Sequence, residues 1–228
     1  MQRHLVAMMT IGLLSSPSIA EFTGTVVGEH KVGELCVADL YITFSQSGEW
    51  VNSIFSTSFT LGAGGFASLL HNDSAGGVWA PQLTVDAEVD TFVTIGGSPG
   101  SSNYTSLHPL WHDAIGSDVV IPTGAGWFNS NPPSLQGLGQ VVTLTNVQGA
   151  LVYEGYATLV ARLVFADPGP VGKPFSIAAT CGWNVGIGGP PTQFDSVNYS
   201  GNLFAIPAPA MTVGLVAVLV MRSRRRRL

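Results

Sequence analysis

The sequence predicts an all-β chain: a β-sandwich, with a jelly roll as one topology, between an N-terminal signal peptide and a single C-terminal hydrophobic helix. Three observations carry this. Segments rich in Val, Ile, Thr and aromatic residues alternate between two faces, the period of an extended strand. Glycine and proline, 28 and 14 residues, punctuate those segments with turn and loop signals. No window of the central region carries the 3.6-residue period of an amphipathic helix. About eight to ten strands and no internal repeat are expected.

Residues 1–20 read as an export leader. Arg3 marks a basic start, residues 5–14 form an apolar core broken only by Thr10 and Gly12, and residues 15–20 are mostly small. The expected cut falls between Ala20 and Glu21. Residues 21–205 then form the exported body.

Within the body, Leu35–Phe44 places Cys36, Ala38, Leu40, Ile42 and Phe44 on one wholly apolar face, which should look inward. Residues 50–61 follow as a strand and end at a glycine-rich loop. Residues 78–85 and 86–95 continue the pattern up to a Gly-Gly-Ser-Pro-Gly loop. From 101 to 133 periodicity is weak, and the segment is either a long loop crossing one end of a sandwich or two short strands near 118–121 and at Trp127 and Phe128. Gln140–Thr145 and residues 150–165 read as neighbouring strands, the second with Leu151, Tyr153, Ala157, Leu159, Ala161, Leu163 and Phe165 on one face and Gly155 as a bulge. Residues 175–183 form the last expected strand, and 188–202 are either a further strand or a surface spacer.

Charge narrows the function classes. Arg3 and five arginines near the C-terminus lie outside the body, leaving Lys31, Arg162 and Lys173 against all fourteen acidic residues, a formal charge of −11. Nucleic-acid binding is disfavoured, because neutralising phosphates needs clustered Lys and Arg. An acidic surface rich in Gly, Ser and Thr suits a soluble extracellular domain. Cys36 and Cys181 both fall in this body. In an oxidising compartment they form a candidate disulfide, worth about 4–5 kcal/mol on the chain-entropy model; two buried thiols are the other reading.

Three constellations are candidates for chemistry. Asp86, Glu88 and Asp90 alternate along one extended segment at roughly 6.6 Å intervals, a spacing that offers hard oxygen ligands to Ca²⁺ or else forms a solvent face. No other cofactor is expected. His108, His112 and Asp113 bring two histidines near an acid, but Pro109 interrupts a helical metal pair and no nucleophile motif accompanies them. Trp111, Trp127, Phe128 and Trp183, with Asn129, Asn131 and Asn184 close by, supply the ring faces and amides with which sandwiches hold sugars, or else ordinary packing.

The C-terminal residues 206–228 contain Pro207-Ala208-Pro209, an uncharged apolar run over 210–221, and then Arg222, Arg224, Arg225, Arg226 and Arg227. The arginines suit the cytoplasmic side of a membrane. A twelve-residue helix spans roughly 18 Å against a hydrocarbon core of about 30 Å, so a transient attachment fits better than a permanent span. This order of Pro-x-Pro, apolar helix and arginine cluster resembles the PEP-CTERM sorting signal of bacterial exported proteins, with Ala208 where that family has Glu. The resemblance covers the tail alone. It implies a membrane processing enzyme of the exosortase type as partner, transient inner-membrane attachment, and delivery to the cell surface or extracellular matrix. The expected function is therefore that of an exported, structural or adhesive, non-enzymatic protein. The alternatives are a carbohydrate-binding module acting on extracellular polysaccharide and a secreted hydrolase.

Overall fold

The computed structural model describes residues 21–61, 69–71, 89–97, 102–111, 121–166, 172–186 and 192–205. The expected leader 1–20 and the tail 206–228, with every expected sorting residue from Pro207 to Arg227, lie outside them. No helix among the described residues is long and apolar enough to cross a membrane.

The described chain is almost entirely β. In order, its strands are β1 (Phe22–Val32), β2 (Leu35–Phe44), β3 (Glu49–Leu61), β4 (Phe92–Val93), β5 (Thr105–Leu107), β6 (Trp127–Asn129), β7 (Gln140–Thr145), β8 (Leu151–Ala166), β9 (Lys173–Val185) and β10 (Gln193–Leu203). They form two antiparallel sheets. The first runs β1-β2-β8-β4, with β7 sharing the β8 edge that β4 uses further along; the second runs β10-β9-β3-β6-β5.

One core draws on both sheets. Cys36, Ala38, Leu40, Ile42 and Phe44 are all buried in it, as the alternation along β2 requires, together with Ile54, Trp127, Phe175, Ile177 and Val197 from the second sheet. Phe44 on β2 meets Trp183 on β9 across the sheets at 5.8 Å, and Phe165 on β8 meets Phe204, just past β10, at 5.9 Å. Burying side chains of this kind contributes roughly 1.5–3 kcal/mol each, the main driving force for forming this shared core.

The single-face pattern expected for β8 is corrected by a bulge at a different place. Gly155 pairs in continuous register with Val142. The register against β2 slips instead beside Val160, because Leu40 faces Ala161 while Tyr41 faces Leu159. One extra residue swaps the faces. Ala161, Leu163 and Phe165 therefore point into the core with Val160 and Tyr156, whereas Leu159 packs on the other face against Phe92. On that same face Arg162 pairs with Asp39 across the strands and lies over the Phe92 ring at 5.7 Å.

The expected Cys36–Cys181 disulfide is not formed; both are buried thiols. Position explains it. Cys36 sits opposite Phe165, whose ring reaches Phe204 beyond the Leu203–Lys173 end of the β10–β9 ladder. Cys181 lies two residues before Trp183, which touches Phe44 at the far end of β2. Eight residues of strand separate Phe44 from Cys36, about 26 Å, whereas a disulfide needs Cα atoms within about 7 Å.

Candidate functional site: an aromatic row on the outer sheet face

The outer face of the second sheet carries one continuous row of paired residues. Phe194 on β10 faces Gly182 on β9, Gly182 faces Ser53 on β3, Ser53 faces Phe128 on β6, and Phe128 faces Ser106 on β5. Phe55 stands one pleat along β3 and meets the Phe194 ring edge-on, with centroids 5.8 Å apart. Three large rings thus lie in the open: Phe194 is 62 % exposed, Phe128 45 % and Phe55 37 %. Apolar rings clustered on a sheet face rather than scattered singly mark a contact surface.

Local sequence explains each ring. Along β10, Val197 and Leu203 turn into the core, so the opposite parity, with Phe194, Ser196 and Asn198, is exposed. On β3, Ile54 is buried and its neighbours Ser53 and Phe55 turn outward. Gly182 lets Phe194 lie close: a Cβ there would stand 2.6 Å from the Ser53 hydroxyl and 3.3 Å from the Phe194 ring. Phe194 and Phe128 are three strand spacings apart, about 14 Å.

Beyond the rings the same face becomes a carpet of small polar groups. Ser58, Thr60, Ser176, Asn198 and Ser200 line two adjoining shallow hollows of about 260 and 300 Å³. The surface therefore offers ring faces at one end and hydroxyls and amides at the other. Its chemistry suits a neutral, extended ligand with alternating apolar patches and hydroxyls.

The predicted site residues divide sharply. Phe128 belongs to the row. Trp111, Trp127 and Trp183 do not: all three are buried, and each indole N–H is used internally, donating to Gly126 O at 2.9 Å, Thr94 O at 2.8 Å and Asp195 Oδ2 at 2.8 Å respectively. Trp111 and Trp127 also pack edge to face at 5.9 Å. These rings belong to the core that both sheets share and are corrected from ligand contacts to core packing. Asn129 is likewise buried, donating to Gln136 O at 2.6 Å.

Of the acidic triplet, Asp86 and Glu88 lie outside the described residues. Asp90 is not on a solvent face. It is buried, and its Oδ1 stands 3.0 Å from His71 Nδ1, which also reaches Thr91 O at 2.8 Å. This pair ties the segment 69–71 to the start of β4, and no group of three or more potential metal ligands occurs among the described residues. His112 and Asp113 lie outside the described residues; His108 is exposed, its Nδ1 accepting from Leu110 N at 3.2 Å.

Sequence reasoning missed Phe55 and Phe194. The signal was present for Phe194, because the polar parity of residues 194–200 sets it beside Ser196 and Asn198 and opposite Val197. Comparison with family models, with curated proteins and with solved structures finds no match.

Proposed function

We propose that this chain is an exported, non-enzymatic adhesive protein of the bacterial cell surface or extracellular matrix, whose outer sheet face binds neutral polysaccharide. The leader 1–20 and the PEP-CTERM-like tail 206–228, handled by an exosortase-type enzyme with transient attachment to the inner membrane, direct the body outside. The body is a β-sandwich, a reading supported by the core that both sheets share.

The observation that carries the binding reading is the exposed row of Phe194, Phe55 and Phe128 set among Ser53, Ser106 and the polar carpet. Flat rings stack on the apolar faces of sugars while hydroxyls and amides meet their polar edges. An acidic body disfavours anionic glycans, so the expected ligand is uncharged.

In cells, the exported protein should be retained at the surface or in the matrix, and Phe55→Ala/Phe128→Ala/Phe194→Ala should be exported equally yet appear in the medium. Equal retention of that variant would overturn the binding reading. Retention of both proteins in the cytoplasm would overturn export.

A further inference from the structure

The carboxylate of Glu49 is an unusual group for a protein with so few buried charges. Glu49 opens β3, directly after the turn that joins it to β2, and is completely buried. Neither Oε1 nor Oε2 has a hydrogen-bond partner. A lone carboxylate out of water is costly unless a cation or several donors meet it. Burial pushes the Glu49 carboxyl above its usual range, and the nearby backbone N–H groups of Glu49, Gln46 and Glu21 offset this in part. None of the three is close and straight enough to count as a hydrogen bond.

Glu21 is the residue that follows the expected leader cut, and its backbone is already fixed beside this turn. Its N donates to Ser45 Oγ at 3.1 Å, and Ser45 N donates back to Glu21 O at 3.0 Å. The nitrogen is thus held by a residue four positions before Glu49.

We propose that leader removal completes the fold electrostatically: hydrolysis of the Ala20–Glu21 peptide bond frees an α-ammonium at Glu21, which pairs with the buried Glu49 carboxylate. The peptide bond takes up one water, leaving a carboxylate on Ala20 and an amine on Glu21 that is protonated at neutral pH. A single N–H donor becomes three N–H donors with a full positive charge. One continues to serve Ser45 Oγ, and the others are placed to meet Glu49 as a charge-assisted bond, the stronger class. The uncut precursor leaves the carboxylate without its counter-charge and is the less stable form, a bias that favours crossing the membrane before final closure. This rests on the export reading given above.

The test is a cycle of thermal unfolding on the chain 21–228, kept in detergent so that the tail is retained. One protein starts at Glu21 with a free amine, released from a cleavable fusion; a second carries a Gly-Ser extension; both are repeated with Glu49→Gln. The free-amine protein should melt about 4 °C above the extended one, a shift of the size expected for one partly buried charged pair in a chain this long. The gap should close in the Glu49→Gln pair. If Glu49→Gln fails to fold, N-acetylation of the Glu21 form supplies the same comparison and should remove the gain. Equal melting of free-amine and extended proteins, or a gap that survives Glu49→Gln or acetylation, overturns the proposal. Mass spectrometry of the exported protein tests the cut separately: an N-terminus other than Glu21 sinks that part of the export reading while the unfolding cycle still decides the pairing.

Discussion

Arg162 grips Asp39 across the β2–β8 ladder in a bidentate pair, Nε to Oδ1 at 2.7 Å and Nη2 to Oδ2 at 2.8 Å, with both side chains buried. Three basic residues remain in the body, and one of them is committed to this contact inside the protein. Phe92 under the guanidinium and Leu159 beside it form a second, smaller apolar cluster on the face of the sheet away from the main core.

Removing either partner should leave the other as an uncompensated buried charge. Asp39→Ala and Arg162→Ala are each expected to lower unfolding stability by about 3–5 kcal/mol. Asp39→Ala/Arg162→Ala should lose clearly less than the sum. Urea unfolding of the four proteins measures this, and strictly additive losses would contradict a coupled pair.

Tyr41 lies next along β2, and its phenol is pushed up to about 12, first by burial and then by the Asp39 charge, with Arg162 acting in the opposite direction. A folded pKa above the unfolded value of about 10 means that its contribution is complete below pH 10 and is lost as pH rises through about 12. Tyr41→Phe should therefore flatten the fall in stability between those values. An unchanged alkaline profile in the variant would show that Tyr41 is not the group responsible.

Both cysteines are buried at opposite ends of the core, and burial, with the Asp195 charge adding to it, raises the Cys181 thiol far above its ordinary range. Neither should react with a thiol reagent in the native protein at pH 8, and both should react once it is unfolded. Reductant should leave the melting temperature unaltered. A drop in melting temperature on reduction would reveal the bridge that the geometry excludes.

Gly137 holds the turn before β7 against β3. Its φ is +99°, its carbonyl accepts from Val51 N and Thr158 Oγ1, and a Cβ there would sit 2.4 Å from Val51 O. Gly137→Ala should cost roughly 3 kcal/mol from strain and overpacking together. Gly149→Ala serves as the control, since its φ of +79° carries strain but nothing lies within 4 Å. Equal losses at the two positions in a denaturant titration would argue against the clash at Gly137.

Alternation made β2, β7 and β9 legible in the sequence, and β3 and β8 were legible as strands from their Val, Thr and aromatic content although bulges shift their faces. β1 was not, since its core-facing positions mix Phe22 and Val27 with Thr25 and Glu29, which breaks the apolar alternation; it is held by register against β2 instead. β4 and β5 are too short for a period and exist through pairing with β8 and β6. The bulge beside Val160 leaves no mark in composition, so the faces of β8 were readable only past it. The tryptophans misled for a plain reason: a ring that stacks on sugar and a ring that fills a core have the same residue type, and only partners such as Thr94 O and Gly126 O separate the two. Phe194 needed the parity of a strand whose existence the glycine- and proline-rich lead-in obscured.

The most direct measurement is equilibrium binding of neutral polysaccharides by the chain 21–228 and its ring variants. Wild-type protein should bind, Phe194→Ala should weaken binding roughly 5- to 30-fold, the effect of losing one or two kcal/mol, and the three-ring variant should lose it while keeping its melting temperature. No binding to any neutral glycan, or a three-ring variant that binds as the wild type does, would contradict the assignment of the outer sheet face.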